Sequence, residues 1–105
     1  LHLPNNTKLQ FIKKNSGGLC LSKLGVKSLK IKSRTGGEKL KPFSDQPSRS
    51  LKYLFQNADI PLWERDQIPL IFAKKQLVAV PNLGIHHEYR SSEGEIGYEI
   101  NWLRE

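Results

Sequence analysis

The stretch that decides the fold is residues 34–70, which reads RTGGEKLKPFSDQPSRSLKYLFQNADIPLWERDQIPL. It opens with a Gly-Gly turn, continues through a short basic helix predicted from Pro47 to Ala58, and ends in a corner between Pro61 and Pro69. It contains no apparent nucleophile, metal cage or phosphate-binding loop. The stretch therefore predicts a domain that holds a charged partner and performs no chemistry itself.

The helix is the strongest local prediction in the sequence. Four apolar side chains recur at positions i, i+3, i+4 and i+7, and these are Leu51, Leu54, Phe55 and Ala58. Ser48 or Ser50 is suited to cap its first turn, and Pro61 stops it. Three polar side chains lie away from the apolar stripe and are expected to face solvent: Arg49, Lys52 and Gln56.

Strands are predicted on both sides of the helix, from alternating or β-branched apolar residues. The predicted strands cover Lys8–Lys13, Gly18–Lys23, Ser28–Arg34, Pro69–Ala73, Leu77–Val80, Asn82–Ile85 and Tyr98–Leu103. In the third of them, apolar Leu29 and Ile31 alternate with basic residues, so one face of the sheet is expected to be basic. Lys74 to Gln76 joins two of the strands as a hairpin. The predicted fold class is α+β, with mostly antiparallel strands in a compact sandwich-like sheet and one or two short helices.

The charge is concentrated in the first half of the chain. The 105 residues carry a net charge of +7. Residues 1–52 hold ten Lys and two Arg against two acids, whereas residues 53–105 hold five basic residues against eight acids. The basic half offers a strong field to an anionic partner. The alternative is that the lysines only keep a small single domain in solution.

Cysteine content and hydropathy exclude several classes of protein. Cys20 is the single cysteine, which excludes an intrachain disulfide and a Cys-x-x-Cys metal site, and between two leucines it is predicted to be a small buried hydrophobe. No apolar run approaches the roughly 18 residues that a membrane span needs, and no signal peptide is visible. A cytoplasmic protein without membrane contact is therefore expected. The start at Leu1 and the lack of Met indicate a piece of a longer protein.

Ser16-Gly17-Gly18 invites comparison with the SGGxDS loop with which ATP pyrophosphatases grip phosphate. Such a loop needs a helix after it, so that backbone N–H groups converge on the phosphate. Here the required Asp and Ser are missing and no helix is predicted to follow. A plain turn is therefore predicted.

His86-His87-Glu88 suggests a metal at first sight. Adjacent residues on an extended segment point to opposite faces, so one strand cannot present both imidazoles to the same ion. The sequence therefore predicts no metal site, and an exposed loop or edge is expected at this position.

The corner after the helix is more specific. Leu62 to Asp66 is predicted to form at most one helical turn, opened by Pro61. Trp63 is expected to pack as a lid on the core, and Glu64 or Asp66 to orient Arg65 in a bidentate pair. Two interpretations stay open, because the corner either braces the fold or holds an arginine rigid to meet a phosphate.

Seven basic residues come from consecutive parts of the sequence: Lys30, Lys32, Arg34, Lys39, Lys41, Arg49 and Lys52. If they converge, they form a patch wide enough for several phosphates. Each neutralised phosphate is expected to add roughly 0.7–0.9 to the salt slope of binding. The alternative is a dispersed, solvated surface.

Three motifs, in this order and spacing, resemble the C-terminal domain of bacterial tRNA(Ile)-lysidine synthetase. They are RTGGE at 34–38, SLKYLFQ at 50–56 and IPLWERD at 60–66, followed by Pro69-Leu70 and LVAV at 77–80. The resemblance covers roughly residues 28–103. On this basis residues 28–105 are the domain, and residues 1–27 are a linker with the first strands, whose membership of the same domain is left open.

The resemblance implies a function that composition does not. The full enzyme would use ATP to activate cytidine 34 of the tRNA(Ile) with a CAU anticodon, and would then attach lysine. The catalytic domain, and ATP with it, would lie upstream, so this chain is expected to bind no cofactor. The C-terminal domain would contact the tRNA, and its fold is similar to a module of the bacterial phenylalanyl-tRNA synthetase β chain.

Exposure and clustering select the expected RNA-binding residues, which are Arg34, Lys39, Lys41, Arg49, Lys52 and Arg65. The expected partners are tRNA(Ile) and the enzyme's own catalytic domain, and a homodimer is a further option. The alternative is a structural module that docks on the catalytic domain or supports a dimer without touching RNA.

Overall fold

The computed structural model describes residues 2–3, 7–24 and 29–104. The strands are β1 (His2–Leu3), β2 (Thr7–Lys14), β3 (Leu29–Lys32), β4 (Lys39–Leu40), β5 (Arg49–Ser50), β6 (Leu70–Ala73), β7 (Gln76–Val80), β8 (Gly84–Ile85) and β9 (Gly97–Arg104). The helices are α1 (Leu21–Leu24), α2 (Leu51–Asn57), α3 (Leu62–Arg65) and a 3-10 helix at His87–Tyr89. None of the helices in this described part is long and apolar enough to cross a membrane.

The first sheet joins the two ends of the described chain. Its strand order is β1-β2-β9, and both pairings are antiparallel. β2 and β9 pair along all eight residues of β2, starting with Thr7 opposite Arg104. Leu9 lies opposite Trp102 and both are buried, so alternate residues face the core as the sequence predicts. Residues 7–14 thus belong to the same folded unit as the last strand, while the domain boundary at residue 28 stays a prediction.

The second sheet has the order β3-β6-β7-β8 and is also antiparallel throughout. Its centre is the hairpin of β6 and β7, whose turn is Lys74-Lys75, close to the predicted connection. The central strands are apolar on both faces, and Leu70, Ile71 and Val78 are completely buried. This sheet therefore lies within the core, to which α2 and the first sheet also contribute buried side chains.

A two-stranded ribbon of β4 and β5 leads directly into α2. Because Arg49 and Ser50 are extended and belong to β5, α2 begins at Leu51 and not at Pro47 as predicted. Ser50 caps the helix, since its side-chain oxygen accepts a hydrogen bond of 3.2 Å from the backbone N–H of Tyr53. The expected capping residue is thereby settled in favour of Ser50.

The end of α2 is a Schellman motif. The backbone N–H of Ile60 donates to the carbonyl of Phe55 at 3.0 Å, and that of Asp59 donates to Gln56 at 3.3 Å. Asp59 has a φ of 56°, a left-handed conformation that aspartate tolerates better than most residues. Pro61 then stops the helix and opens the single turn of α3, as the sequence predicts.

One apolar core joins both sheets and α2. Its fully buried large side chains include Leu9, Leu19, Leu40, Leu51, Phe55, Ile68, Leu70, Ile71, Val78 and Val80. The predicted stripe of α2 supplies Leu51 and Phe55, with Leu54 half-buried at its edge. The predicted fold class, mostly antiparallel strands with a few short helices, is confirmed.

The predicted strand from Gly18 to Lys23 is wrong. Leu19 forms isolated bridges, and its N–H donates to the carbonyl of Tyr98 at 2.8 Å. Cys20 next donates to Tyr89, and the chain then turns into α1. Leu19 therefore forms single β-bridges with distant residues, and the alternating leucines do not form a strand.

The turn before α1 is a plain turn held inside the fold. Gly18 has a φ of +90°, and a Cβ at this position would lie 2.7 Å from the carbonyl oxygen of Tyr98. The N–H of Gly17 donates to the carbonyl of Ser91 at 3.3 Å. A short helix does follow the turn, contrary to the prediction, but these contacts are to the protein's own backbone. Cys20 is buried, as predicted.

Candidate nucleic-acid interface

Three of the six predicted RNA-binding residues lie on adjoining elements, the β4–β5 ribbon and the first turn of α2. Lys39 lies opposite Ser50 in the β4–β5 ladder, Arg49 precedes Ser50, and Lys52 lies in the first turn of α2. All three basic side chains are exposed. We call Lys39, Arg49 and Lys52 the ribbon–helix cluster.

Among the described residues, Arg49 of this cluster contacts the ring of Tyr53. The carbon at the centre of its guanidinium lies 4.9 Å from the centre of the Tyr53 ring, and Tyr53 is itself 44% exposed. A guanidinium stacked on an aromatic face keeps its N–H edge open to a carboxylate or a phosphate. The contact therefore orders Arg49 without using up its hydrogen-bond donors.

Arg34 occupies a different environment, because it is tucked against the core. Its side chain is 20% exposed, and its guanidinium carbon lies 5.3 Å from the centre of the buried Phe55 ring. Its Nη1 lies 3.6 Å from the carboxylate of Asp66, which is 86% exposed. An ion pair open to solvent contributes at most about 1 kcal/mol, so packing on Phe55 holds Arg34 more firmly than the carboxylate does. Arg34 thus links the segment after β3 to α3.

Arg65 is also held by the protein itself. Its Nε donates a hydrogen bond of 2.8 Å to the backbone carbonyl of Ile60, within the segment that ends α2. The expected pairing with Glu64 or Asp66 is wrong within the described residues, because Arg65 binds the Ile60 carbonyl and the carboxylate of Asp66 lies beside Arg34. The corner therefore braces the fold, and the RNA-binding role of Arg34 and Arg65 stays a prediction.

The apolar residues of α3 face solvent. Leu62 is 76% exposed and Trp63 is 63% exposed, so the expectation that Trp63 forms a lid on the core is wrong. The flanking Phe55 and Ile68, and not Trp63, are the fully buried apolar side chains of this part of the sequence.

Lys41 lies next to a histidine cluster. It is half-buried, and its carbonyl accepts a hydrogen bond of 2.9 Å from the N–H of His87. His86 is buried, and burial lowers its pKa below 6.5, with the charges of His87 and Lys41 adding to the effect and that of Glu88 opposing it. The expected exposed loop at His86 is wrong, because the segment turns into a 3-10 helix.

The same cluster has the wrong geometry for a metal. The candidate ligand atoms of His86, His87 and Glu88 lie within 4.8 Å of one another, but the two imidazole rings are stacked at 21°. Nearly parallel rings direct their lone pairs side by side and not to a common point. The Nδ1 of His86 already accepts from the N–H of Glu88, and its Nε2 lies 3.2 Å from the side-chain amide of Gln76. These histidines therefore serve the fold.

Lys75 is an exposed cation to which the sequence patterns give no role. Lys75 lies in the turn between β6 and β7, and the structure brings it to the same groove as Lys32 and Lys39. Two adjacent lysines in a tight turn are the local signal. Their meeting with residues 32–39 depends on the long-range pairing of β3 with β6, which no local pattern encodes.

The comparisons with known proteins decide the family. A family model described as the TilS substrate C-terminal domain matches residues 29–102. The chain belongs to this family. The match includes the ribbon–helix cluster, α3 and the whole second sheet, and it starts after β2.

Individual TilS relatives agree with this assignment. The tRNA(Ile)-lysidine synthase of Nitrosomonas europaea is 37% identical over 94 residues, which cover 90% of this chain and 20% of the relative. That of Coxiella burnetii is 29% identical over 100 residues, or 95% of this chain and 22% of the relative. The chain therefore spans about a fifth of the length of these curated relatives.

A solved structure shows the same fold. The crystal structure of a TilS C-terminal domain matches with a TM-score of 0.75, covering 99% of this chain and 88% of that chain. The two sequences are 20% identical over this match. The arrangement of sheets and helices is thus that of a TilS C-terminal domain.

Proposed function

We propose that this chain is the tRNA-binding accessory domain of a tRNA(Ile)-lysidine synthase, without catalytic residues of its own. The observation that carries the proposal is the ribbon–helix cluster, whose three cations are exposed in a member of the TilS C-terminal family. The matched relatives are named as enzymes that act on tRNA(Ile). Exposed lysine and arginine side chains are the groups that contact phosphates in RNA.

In this role the domain holds tRNA(Ile) while a catalytic domain of the same cytoplasmic enzyme uses ATP to ligate lysine to cytidine 34 of the CAU anticodon. RNA helices are recognised largely by shape, phosphates and 2′-OH groups, which suits a surface that is basic but carries no built catalytic centre. Lys39, Arg49 and Lys52 are the main proposed contacts. Arg34, Lys41 and Arg65 are secondary ones, since each is partly buried.

A specific observation favours a second function, docking on the catalytic domain or on a second copy of the chain. Leu62 and Trp63 are the most exposed large apolar side chains of the described residues, and they lie side by side on α3. Exposed tryptophan is characteristic of interface anchors. This docking function is compatible with RNA contact elsewhere on the domain.

The test is a titration of the domain against tRNA(Ile) with the CAU anticodon at several salt concentrations. Three phosphate contacts predict that log K falls with log salt with a slope of about 2 to 3. Binding of this kind supports the RNA role. A lack of binding even at low salt would contradict it and would leave docking as the function of the domain.

The tRNA titration needs a partner measurement for the docking role. Sedimentation of the domain alone and in a mixture with the separately expressed catalytic domain measures association directly. Replacement of Trp63 by Gln is expected to abolish any such association and to leave tRNA affinity unchanged. A variant that loses both kinds of binding would show that the two surfaces are one.

A further inference from the structure

A groove of about 510 Å³ opens beside the Gly36-Gly37 turn. Three lysines from three different elements line it: Lys32 at the end of β3, Lys39 at the start of β4, and Lys75 in the turn between β6 and β7. All three are exposed. A convergence of cations from segments that are far apart in sequence gives this groove a positive field, which a scattered surface does not have.

One acid of the groove offsets part of this positive charge, and its carboxylate is bound to the turn. Among the residues that line the groove, all in the described part of the chain, Glu38 is the one acid. Its carboxylate accepts hydrogen bonds from the N–H of Thr35 at 2.9 Å, the hydroxyl of Thr35 at 2.8 Å and the N–H of Gly36 at 3.0 Å. The carboxylate is therefore turned into the loop and fixes its shape.

The titration of Glu38 agrees with this geometry. Partial burial raises the pKa of Glu38, but the hydrogen bonds from Thr35, from its own backbone N–H and from Gly36 outweigh it and bring the pKa below 4.5. The side chain is thus ionised at neutral pH and stays bound to the turn. Glu38 therefore stabilises the conformation of the loop, beside which the three lysines lie.

The two glycines leave the loop bare. Gly36 and Gly37 have φ angles of +107° and +81°, in which glycine is strongly favoured. A Cβ at either position would meet no atom within 4 Å, so backbone conformation and not space requires glycine there. The outer surface of the turn is consequently open. Because Glu38 already occupies the N–H groups of Thr35 and Gly36, the lysine side chains are the groups that would contact an oxyanion there.

Lys32 is held in place over the groove. Its Nζ lies 5.0 Å from the centre of the Phe72 ring, and Phe72 also lines the groove. A cation–π contact of this kind restricts the lysine while its three N–H groups stay available to a ligand. The site is therefore partly ordered before any ligand arrives.

We propose that this groove is a phosphate site, in which Lys32, Lys39 and Lys75 clamp phosphate groups of bound RNA over the Gly36-Gly37 turn. The proposal rests on the proposed function, since RNA is the source of the phosphate, and it adds Lys32 and Lys75 to the contact residues. The groove is open and larger than one oxyanion requires, so it suits a stretch of sugar-phosphate backbone. A terminal 5′-phosphate has the same chemistry and is the other source to be tested.

The chain offers a matched pair of double variants. Lys32→Gln with Lys75→Gln removes two groove cations, whereas Lys30→Gln with Lys74→Gln removes two exposed cations from the same strand and the same turn, neither of which lines the groove. The groove variant is expected to weaken tRNA binding about tenfold and to reduce the salt slope by roughly 2, and the control by much less. Equal losses in the two variants would overturn the proposal, because they would show a general charge effect.

A second measurement separates this site from the proposed function. In a titration of the ¹⁵N-labelled domain with inorganic phosphate, the amide signals of Gly36 and Gly37 are expected to shift in the wild type and not in the groove variant. If tRNA does not bind but these shifts appear, the proposed function fails and the phosphate site stands. Absence of the shifts in the wild type would overturn the site.

Binding of RNA with and without a 5′-phosphate distinguishes the two sources of phosphate. Equal effects of the groove variant on both RNAs assign the groove to the backbone, as we expect. An effect confined to the 5′-phosphorylated RNA would contradict the backbone assignment and identify a terminal-phosphate site.

Discussion

Two regions of this domain hold basic side chains but use them differently. In the ribbon–helix cluster, the cations of Lys39, Arg49 and Lys52 are exposed. At the corner around α3, the guanidinium of Arg34 lies on Phe55 and that of Arg65 binds a backbone carbonyl. Formal charge along the sequence is therefore a poor guide to what a partner can reach. Arginine in particular can serve the interior and the surface equally well.

The largest expected effect is a loss of stability on removing the buried side chain that supports the corner. Phe55 is fully buried and supports Arg34, so Phe55→Ala is expected to cost about 3–5 kcal/mol of unfolding free energy. Urea denaturation measures the loss. The control is Tyr53→Ala on the exposed side of α2, which is expected to cost less than about 1 kcal/mol. Similar losses in both variants would mean that the core is not centred on Phe55.

The next effect concerns binding and not stability. Arg49→Glu with Lys52→Glu is expected to weaken tRNA binding about tenfold or more and to reduce the salt slope by roughly 2. Unfolding free energy is expected to stay constant or to rise by up to about 1 kcal/mol, because both acids would lie near the N-terminus of α2.

The control for the cluster is a charge reversal elsewhere. Lys13→Glu changes an exposed lysine of β2, on the other sheet, and is compared with Lys52→Glu alone. Filter binding at one low and one moderate salt concentration suffices. If Lys13→Glu weakens binding as much as Lys52→Glu, the interaction depends on net charge and the cluster has no special role.

The corner predicts the opposite pattern. Arg65→Met removes the donor to the Ile60 carbonyl but keeps much of the side-chain volume, and it is expected to cost about 1–2 kcal/mol of stability. tRNA affinity should fall much less than in the cluster variant. Thermal unfolding and filter binding on the same preparation check both statements. A stable Arg65→Met variant that binds tRNA poorly would move Arg65 into the RNA interface.

The smallest expected effect is on the pH dependence of stability, and it concerns His86, which lies near Lys41. Because the pKa of His86 is below 6.5 in the folded protein, the unfolded chain takes up the proton first as pH falls. Stability is therefore expected to decline as the pH drops below about 6.5 and towards the folded-state pKa. The melting temperature of His86→Asn should depend less on pH in this window, while His87→Asn should keep most of the slope. A wild-type profile that is flat between pH 7.5 and 5 would contradict the assignment.

Patterns formed by residues close together in the sequence predicted the helix and several of the strands well. The 3.6-residue stripe located Leu51 and Phe55 on α2, and the polar Lys74-Lys75 pair located the hairpin. The alternation in β2 and β9 predicted which of their residues face the core. These features depend on spacing along the chain, which a sequence displays directly.

Three differences between the sequence-based expectations and the structure depend on contacts between distant segments. Leu19 bridges Tyr98 and ends a strand that its own pattern favours. Asp66 pairs with Arg34 and not with its neighbour, because the end of β3 lies near α3. Lys75 joins the groove through the pairing of β3 with β6. The sequence therefore predicted that the candidate interface is basic, but the tertiary fold decides which lysines and arginines belong to it.

The ladder between β2 and β9 has a consequence for synthesis in the cell. Thr7 is made long before Arg104, yet they are partners in one sheet. Contacts of such large sequence separation form late and slow the folding reaction. During translation β2 must wait, with its apolar side chains exposed, until β9 has emerged from the ribosome. We expect the domain to complete its fold only after β9 has emerged, with the second sheet and α2 already formed as the surface onto which β2 and β9 close.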